Sequence, residues 1–399
     1  MQFNIIVLGG DGIGPEVVAE AQKVLACIGE KYKHTFNYVE DLVGGAAIDA
    51  YGVAIKEETT QQAKRSDAVL FGAVGGPKWS DPQAPVRPED GLLAIRKALG
   101  LYANIRPVKA YKFLENVSPL KPSLLEGVDF IVVRELTGGL YYGKPKRRWN
   151  TSRGRRGVDT MKYSEREIER ILRVGFELAR GRKKKLTSVD KANVLETSRL
   201  WRQIATELAK DYPDVELEHQ LVDSGAMALV QNPSRFDVMV MENTFGDILS
   251  DEASVLSGSL GMLPSASLAG IPAADGKRRA RGMYEPIHGT APDITGQGKA
   301  NPVAMILSTA MMLRYSLGLP REAQVIEDGV EFVLESGYRT ADLASPTEQT
   351  TSTTQMGDAI VRAIANDPRF MLSQGSNVEG KRKPVAPGPP TWQRIDEVT

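Results

Sequence analysis

The stretch that decides the fold is Phe236-Asp-Val-Met-Val-Met-Glu-Asn-Thr-Phe-Gly-Asp-Ile-Leu-Ser-Asp251. Residues 236–241 form an apolar run of strand length, and Asp247 and Asp251 follow it four residues apart, so on a helix they share one face. Two carboxylates held this close repel each other unless a cation or a proton lies between them. Oxygen ligands with no Cys or His nearby suit Mg²⁺ or Mn²⁺ rather than Zn²⁺. The simpler interpretation is an acidic helix turn that complements the helix dipole.

Strand-length and helix-length segments alternate along the chain. Apolar runs occupy residues 5–8, 68–74, 128–133, 186–189, 215–222 and 236–241, and helices are predicted near 15–29 and 164–180. The second helix begins with Ser164 and Glu167, the pattern of a capping box, and ends before Gly181. This alternation predicts an α/β protein with a largely parallel sheet.

Two segments depart from this alternation. Residues 137–159 contain Gly-Gly, aromatic side chains and seven basic residues between Lys144 and Arg156, without a helical period. They predict a projecting arm or a loop; a solvated surface is the simpler interpretation, and binding of nucleic acid or a partner is the alternative. The end of the chain, from about residue 367 to 399, contains Gly-Lys-Arg-Lys-Pro and Pro-Gly-Pro-Pro, which indicate an extended tail.

Composition excludes several classes of protein. The 399 residues include 50 basic and 50 acidic side chains, so there is no overall attraction to nucleic acid or to acidic membranes. Cys27 is the single cysteine, which excludes an internal disulfide and favours a reducing compartment such as the cytoplasm. No apolar run reaches the length of about 18 residues that a membrane span needs. Because a strand-like run starts at residue 3, we expect no signal or transit peptide.

Charged side chains recur where the predicted strands end. In open α/β sheets, ligands bind at the carboxyl ends of the strands, so such positions predict a site. The positions are Arg134, Asp190-Lys191, Asp223 and Glu242-Asn243.

Three arginines complement the acidic residues. Arg96, Arg106 and Arg134 carry planar guanidinium groups, which are preferred partners of carboxylates, although each alone is more often a surface charge. Together with the aspartates at 223, 247 and 251, they would suit a metal-chelating polycarboxylate. With only three histidines in the chain, a His-built metal site is not expected.

Two loops are candidates for binding a nucleotide. Gly9-Gly-Asp-Gly-Ile-Gly-Pro-Glu16 follows a strand and opens a helix, but it lacks the third glycine of the dinucleotide fingerprint, so we predict that this is not a Rossmann fold. Its glycines still serve tight backbone geometry. The better candidate is Glu285-Pro-Ile-His-Gly-Thr-Ala-Pro-Asp293-Ile, followed by Asn301. Asp293 could accept hydrogen bonds from a ribose diol and would repel a 2′-phosphate, which favours NAD over NADP. An ordinary turn is the alternative for such a segment.

Taken together, the motifs resemble the β-decarboxylating dehydrogenases, the isocitrate/isopropylmalate dehydrogenase family. The motifs that carry the resemblance are Gly10-Asp-Gly-Ile-Gly-Pro-Glu-Val17, Asp190-Lys-Ala-Asn-Val194, Glu242-Asn-Thr-Phe-Gly-Asp-Ile-Leu-Ser-Asp251, Gly258-Ser-Leu-Gly-Met-Leu-Pro-Ser265 and His288-Gly-Thr-Ala-Pro-Asp-Ile294. The similarity covers about residues 3–366 and is greatest to the isopropylmalate branch in its fungal form. It implies two α/β domains that share a central sheet. These would be a discontinuous cofactor-binding domain (1–103 and 259–366), a substrate, metal and dimerisation domain (104–258, with an arm at 137–160), and a tail (367–399).

The resemblance also implies a reaction and a homodimer whose active sites are shared between subunits. The expected reaction is oxidation of 3-isopropylmalate by NAD⁺ with Mg²⁺ or Mn²⁺, followed by release of CO₂ to give 2-oxoisocaproate for leucine synthesis. The resemblance implies that Arg96, Arg106 and Arg134 bind the substrate carboxylates. It implies that Asp247, Asp251 and the partner subunit's Asp223 bind the metal. The partner subunit's Lys191 would deprotonate the C2 hydroxyl, and Tyr141 would protonate the enolate.

Substrate identity depends on fewer residues. Leu92 and Leu93, with the partner subunit's Val194, would form an apolar pocket for the branched alkyl group, whereas an ordinary helix core is the alternative for the two leucines. Such a pocket separates alkyl groups by only about 1–3 kcal/mol per methylene. A paralogue that acts on another apolar 3-substituted malate therefore stays open, as does a catalytically silent relative that binds a partner through its arm. The cofactor would contact Ile13, Glu89, Glu285, His288, Gly289, Ala291, Asp293, Ile294 and Asn301.

Three segments depart from what is expected of the family. They are the basic arm, the basic insertion at 275–281 and the long tail, and none of them touches a motif.

Overall fold

The computed structural model describes residues 1–81, 84–272, 278–345 and 347–366. The predicted tail and residues 275–277 of the predicted insertion lie outside these residues. Within them the strands are β1 (Gln2–Gly10), β2 (Thr35–Glu40), β3 (Ala68–Ala73), β4 (Ala103–Lys109), β5 (Asp129–Glu135), β6 (Arg147–Thr151), β7 (Gly154–Val158), β8 (Lys185–Asp190), β9 (Glu216–Leu221), β10 (Val238–Met241), β11 (Pro264–Leu268) and β12 (Gly282–Pro286). The α-helices are α1 (Gly14–Tyr32), α2 (Gly45–Tyr51), α3 (Glu57–Arg65), α4 (Pro88–Leu99), α5 (Pro122–Leu125), α6 (Glu165–Arg180), α7 (Glu196–Leu208), α8 (Val222–Gln231), α9 (Asn243–Ser254), α10 (Val303–Met312), α11 (Pro320–Glu335) and α12 (Thr353–Asn366).

One mixed sheet of ten strands organises this part of the chain, in the order β2-β1-β3-β12-β11-β4-β5-β10-β8-β9. Pairing is parallel on both flanks, whereas β11 is antiparallel to β12 and β4, and β4 is antiparallel to β5. The predicted α/β fold with a shared central sheet is confirmed, and so is the largely parallel character of the sheet. The two-domain division remains a prediction.

The strand register brings the predicted functional positions to one edge of the sheet. Met241, the last residue of β10, pairs with Arg134 on one side and with Val189 on the other. Because β4 runs antiparallel to β5, its beginning lies at the same edge, and Asn104 pairs with Arg134. Arg134 lies within β5 and not after it, which corrects the predicted strand end by two residues.

Two apolar clusters fix the helices that carry site residues. One joins α4 to the sheet and includes Phe71 and Ile95, and the other joins α9 to the sheet and includes Val132, Met239 and Leu249. Burial of each such side chain contributes about 1.5–3 kcal/mol. The buried apolar faces of α4 and α9 thus hold both helices against the sheet. Helix α4 carries one predicted arginine and α9 carries two predicted aspartates.

The capping box and the arm are both formed. The Ser164 side chain accepts a hydrogen bond from the Glu167 N–H, and the Ser164 N–H donates to Glu167 Oε2 at 2.8 Å, so the predicted start of α6 is confirmed. Strands β6 and β7 pair only with each other, as an exposed antiparallel hairpin within the predicted arm. None of the helices in the described ranges has the length and apolar character needed to cross a membrane.

Candidate active site

Helix α9 presents its two aspartates to cations from neighbouring strands. Glu242 caps the helix by accepting hydrogen bonds from the N–H groups of Thr244 and Phe245. Asp247 forms an ion pair with Arg134 of β5, and Asp251 lies 3.5 Å from Arg106 of β4. The predicted gathering of acids and arginines at the sheet edge is therefore present within one chain.

Neutral side chains hold the arginines in place. Arg134 Nε and Nη2 both donate to Asn243 Oδ1, at 3.1 and 2.9 Å. Arg106 donates from Nε to Asn104 Oδ1 at 2.7 Å and from Nη1 to Ser250 Oγ at 2.6 Å. Burial, together with the nearby charge of Arg134, lowers the pKa of Arg106 to about 10, so this group stays charged at neutral pH.

Tyr141 lies beside the aspartate pair. It ends a short 3-10 helix, Gly139–Tyr141, and its hydroxyl donates to Asp247 Oδ2 at 2.7 Å. The hydrogen bond to this carboxylate stabilises the neutral phenol and raises the pKa of Tyr141 to about 12. The side chain is 43 % exposed, so a ligand can reach the hydroxyl.

The third arginine lines a cavity of about 180 Å³ between β3, α4 and β12. Arg96 Nη2 donates to Glu285 Oε1 at 2.8 Å. Arg96 Nε and His288 Nε2 are buried and find no hydrogen-bond partner among the described residues. Polar atoms of a bound molecule would satisfy them, because buried donors and acceptors are normally paired. Leu92 and Glu89 also line this cavity, so predicted substrate and cofactor residues meet there.

Lys191 and Asp223 form a separate pair. Lys191 Nζ lies 2.9 Å from Asp223 Oδ2, and this ammonium lowers the pKa of the Asp223 carboxyl. In the parts of the chain that are described, no three His, Cys, Asp or Glu side chains form a metal-binding group. One chain thus brings Asp247 and Asp251 together with the arginines and Tyr141, while Asp223 contacts Lys191 instead. Val194 is 61 % exposed and Leu93 is 44 % exposed, so within one chain neither side chain is enclosed in an apolar pocket.

The predicted cofactor loop packs on the N-terminal glycine loop. Ile13 N–H donates to the Thr290 carbonyl at 2.9 Å, and Glu16 accepts from Gly296 N–H at 2.6 Å. Gly12 has φ +59°, and a Cβ there would lie 2.2 Å from the Thr290 oxygen. The glycine loop therefore contacts the predicted cofactor loop closely through its backbone, and the tight geometry predicted for its glycines is present at Gly12.

The predicted cofactor residues differ in what they can offer a ligand. His288 lines the cavity, and burial lowers its pKa, which keeps the ring neutral. Gly289 lines the cavity as well, Asp293 is exposed, and Ala291 has φ +38°. Asn301 is buried, donates to Asp342 at 3.1 Å and accepts from Val303 N–H, so its amide already has partners within the protein. The Ile13 side chain is 4 % exposed and belongs to the core. Ile294 is half-buried.

Sequence analysis missed the neutral residues of the site. Asn104 gave a usable signal, because it lies two positions before Arg106 and therefore on the same face of a strand. Asn243 was noted only as a strand-end position, and Ser250 has no sequence feature that distinguishes it from other helix serines.

Known proteins resemble this chain over most of its length. The model of the family "Isocitrate/isopropylmalate dehydrogenase" matches residues 4–360. The chain is 60 % identical to the 3-isopropylmalate dehydrogenase of Dehalococcoides mccartyi over 91 % of this chain and 100 % of that protein. The corresponding enzymes of Priestia megaterium (58 %, covering 92 % and 97 %) and Pseudomonas putida (54 %, covering 92 % and 100 %) are also similar. These relatives are bacterial, so the expected fungal form is not supported.

Solved structures show the same fold. The isocitrate dehydrogenase of Methylococcus capsulatus superposes with a TM-score of 0.77 at 34 % identity, covering 91 % of this chain and 99 % of that one. The β-decarboxylating dehydrogenase of Thermococcus kodakarensis, in its apo form, superposes with a TM-score of 0.75 at 34 % identity, covering 94 % and 100 %. The chain is an oxidoreductase that belongs to the isocitrate/isopropylmalate dehydrogenase family.

Proposed function

We propose that the protein catalyses the NAD-dependent and divalent-metal-dependent oxidative decarboxylation of 3-isopropylmalate to 2-oxoisocaproate and CO₂, as a cytoplasmic step of leucine biosynthesis. The observation that carries the proposal is the meeting of Arg106 and Arg134 with Asp247 and Asp251 at one sheet edge. The bacterial relatives that carry the name 3-isopropylmalate dehydrogenase support the choice of substrate.

The substrate has two carboxylates, a hydroxyl and an apolar branch, and the site offers a partner for each. Arg134 is buried, Arg106 is half-buried, and both are fixed by amide side chains, which suits binding of carboxylates in a defined orientation. Arg96 would bind the carboxylate nearest the cavity, and Leu92 on the same helix would contact the isopropyl group. A third carboxylate in place of the isopropyl group would remain unpaired beside Leu92, at a cost of a few kcal/mol.

Asp247 and Asp251 fit a divalent metal. Their carboxylates are one helical turn apart, partly exposed, and offer only hard oxygen donors, which suits Mg²⁺ or Mn²⁺. When bound, the metal would acidify the C2 hydroxyl and stabilise the enolate oxygen. We assign a third ligand to the partner subunit's Asp223, since the described residues of one chain supply only two carboxylates at this position.

Acid–base roles follow from position and charge. The partner subunit's Lys191, which lies beside its Asp223, would take the proton of the C2 hydroxyl once its ammonium has released a proton to solvent and become a neutral amine. NAD⁺, when bound, would supply the acceptor for the hydride of C2. The bond from C3 to its carboxylate then breaks, CO₂ leaves, and the electron pair forms the enolate. Tyr141, held protonated beside Asp247, would donate its proton to C3 and complete the product.

The loop from His288 to Asn301 would bind NAD⁺. His288 Nε2 has no hydrogen-bond partner among the described residues, so it could bond to a polar group of the cofactor. Asp293 is exposed and could accept hydrogen bonds from the adenosine ribose. A 2′-phosphate would bring two negative groups together, which supports NAD over NADP.

We propose that the active unit is a homodimer. Helices α8 and α9 contact each other, and together with the turn that follows α9 they expose a set of large apolar side chains, Met227, Val230, Ile248 and Val255, at 42–61 % exposure. Exposed apolar patches of this kind mark protein interfaces. A second copy on this surface would bury them and bring its own Asp223 close to α9.

Turnover of a substrate panel tests the proposal. Purified protein with Mn²⁺ and NAD⁺ should form NADH with 3-isopropylmalate, a chelator should stop the reaction, and NADP⁺ should be a poorer acceptor. Asp247→Asn should abolish activity, whereas Asp214→Asn, which removes an exposed carboxylate remote from the site, should not. Turnover of a malate with another apolar 3-substituent in preference to the isopropyl compound would refute the substrate assignment and favour the paralogue.

A further inference from the structure

Two buried carboxylates lie behind the candidate active site with one phenol between them. The Tyr163 hydroxyl is 3.2 Å from Glu242 Oε2 and 3.4 Å from Glu135 Oε2, and it accepts a hydrogen bond from Asn243 N–H at 3.0 Å. All three side chains are at least nine-tenths buried. The Arg170 guanidinium lies 3.3 Å from Glu135 Oε1 and offsets part of the acidic charge, and the Tyr163 hydroxyl is the group that contacts both carboxylates.

Each carboxylate holds one part of the active site. Glu242 caps α9, which carries the two proposed metal ligands, through the N–H groups of Thr244 at 3.0 Å and Phe245 at 2.8 Å. Glu135 accepts from Thr137 N–H at 2.8 Å and Gly138 N–H at 2.7 Å, at the start of the loop that leads to Tyr141. Tyr163 therefore connects the helix with the metal ligands to the loop with the proton donor.

The Tyr163 ring has little freedom to move. A Cβ on Gly138 would lie 2.4 Å from the ring, and one on Gly139 would lie 2.7 Å from the hydroxyl. The indole of Trp201 packs edge-on against the other side, with ring centroids 6.0 Å apart, and is itself tied to Ser188 by a 3.0 Å hydrogen bond. A side chain enclosed in this way transmits its position to both elements that it contacts.

We propose that Tyr163 is a positioning residue that fixes the distance between Tyr141 and the carboxylates of α9. The distance matters because Tyr141 reaches Asp247 through one 2.7 Å hydrogen bond, and proton transfer to a substrate at this point needs the same alignment. The proposal rests on the proposed function for the role of Tyr141, but its effect on the carboxylates can be measured without catalysis.

Tyr163→Phe removes the shared hydroxyl and keeps the ring. Glu242 and Glu135 then lose the donor that lies between them, although Arg170 Nη2 remains 3.3 Å from Glu135 Oε1. Asn243 N–H loses its acceptor, so we expect the first turn of α9 to be displaced. Loss of a group that orients metal ligands costs about 10–100-fold in metal affinity or activity. We expect a Mn²⁺ dissociation constant about tenfold higher, measured by titration of the full-length protein with Mn²⁺ alone, and a comparable fall in kcat with an unchanged KM for NAD⁺.

Tyr212→Phe is the matched control. Tyr212 is also buried and bonds to a carboxylate, Glu177, at 3.4 Å, but its ring stacks on Phe176 in the second half of α6 and not on the loop that leads to Tyr141. It should lower the melting temperature without changing Mn²⁺ affinity. If Tyr163→Phe does not fold, Glu242→Gln provides the same measurement, because it keeps the shape of the side chain but loses one acceptor oxygen, and it should weaken Mn²⁺ binding in the same direction.

Mn²⁺ affinity equal to wild type in a folded Tyr163→Phe protein, or an equal loss in Tyr212→Phe, would overturn the proposal. The proposed function fails differently. If wild-type protein binds Mn²⁺ but does not oxidise 3-isopropylmalate, the substrate assignment is wrong, while weaker Mn²⁺ binding by Tyr163→Phe would still support the positioning role.

Discussion

Tyr141 and Tyr142 are adjacent tyrosines with similar exposure, 43 % and 49 %, but only Tyr141 bonds to Asp247. We predict that Tyr141→Phe lowers steady-state kcat by about 10²–10⁴-fold, the usual contribution of a positioned general acid. Because hydride transfer precedes the lost proton transfer, a burst of about one NADH per site should appear in the first turnover. Rapid-mixing absorbance measures both phases.

Tyr142→Phe is the control for that experiment and should leave both phases unchanged. A Tyr141→Phe protein with normal kcat, or one that forms no burst although it binds substrate, would show that this phenol is not the donor to the enolate.

At this scale the sequence predicted charged residues better than neutral ones. Asp247 and Asp251 were identified by their spacing on one helix face, Arg134 by its place at a strand end, and Arg106 because a guanidinium suits a carboxylate. Asn243 was placed at the predicted site, but its role in holding Arg134 was not predicted, because an amide has many roles and its partner comes from a strand 109 positions earlier.

At the scale of elements, Gly12 determines how the turn between β1 and α1 meets the cofactor loop. We predict that Gly12→Ala weakens NAD⁺ binding, because the left-handed backbone costs about 1–2 kcal/mol for alanine and the new methyl group would lie 2.2 Å from the Thr290 oxygen. The expected result is a raised KM for NAD⁺ with a nearly unchanged KM for the hydroxy acid. Steady-state kinetics and thermal melts measure these effects.

Gly52→Ala is the control that separates backbone strain from a steric clash of the new methyl group. Gly52 also has a left-handed backbone, φ +74°, but a Cβ there meets nothing within 4 Å. It should cost stability without altering the KM for NAD⁺. Equal kinetic effects of the two substitutions would argue against a supporting role for the glycine loop.

Elements with strong local signals were predicted correctly, and those defined by distant partners were not. The capping box at Ser164 fixed the start of α6, and the apolar run at 68–74 fixed β3. The antiparallel strand β11, Pro264–Leu268, has two serines among five residues, so its burial between β12 and β4 has no periodic signal. Strand β4 was not predicted either, because it contains Pro107, and a proline within an apolar run argues against a strand.

At the scale of the whole molecule, subunit mixing tests whether one active site uses two chains. Lys191 pairs with Asp223 in one chain, whereas Asp247 pairs with Arg134 elsewhere in it. We predict that inactive Lys191→Ala and Asp247→Ala subunits, mixed and reassociated, recover about a quarter of wild-type activity, because half of the dimers are mixed and each has one intact site. Activity against mixing ratio is the measurement.

The control uses two variants from the same half of the site. Lys191→Ala mixed with Asp223→Ala should recover nothing, because every composite site then lacks one of the two groups. Recovery in this control, or none in the first mixture although mixed dimers form, would contradict a site shared between subunits.

The charge of this neutral protein is unevenly distributed, because the exposed hairpin of β6 and β7 is strongly basic. Seven cations and no acidic residue lie between Lys144 and Arg156, so in a chain with zero net charge the remainder carries seven net negative charges. Such a chain has a large electric dipole moment, and its field is not that of an uncharged particle. It should adsorb to a cation-exchange resin through the hairpin, and elute with salt, at a pH near its isoelectric point.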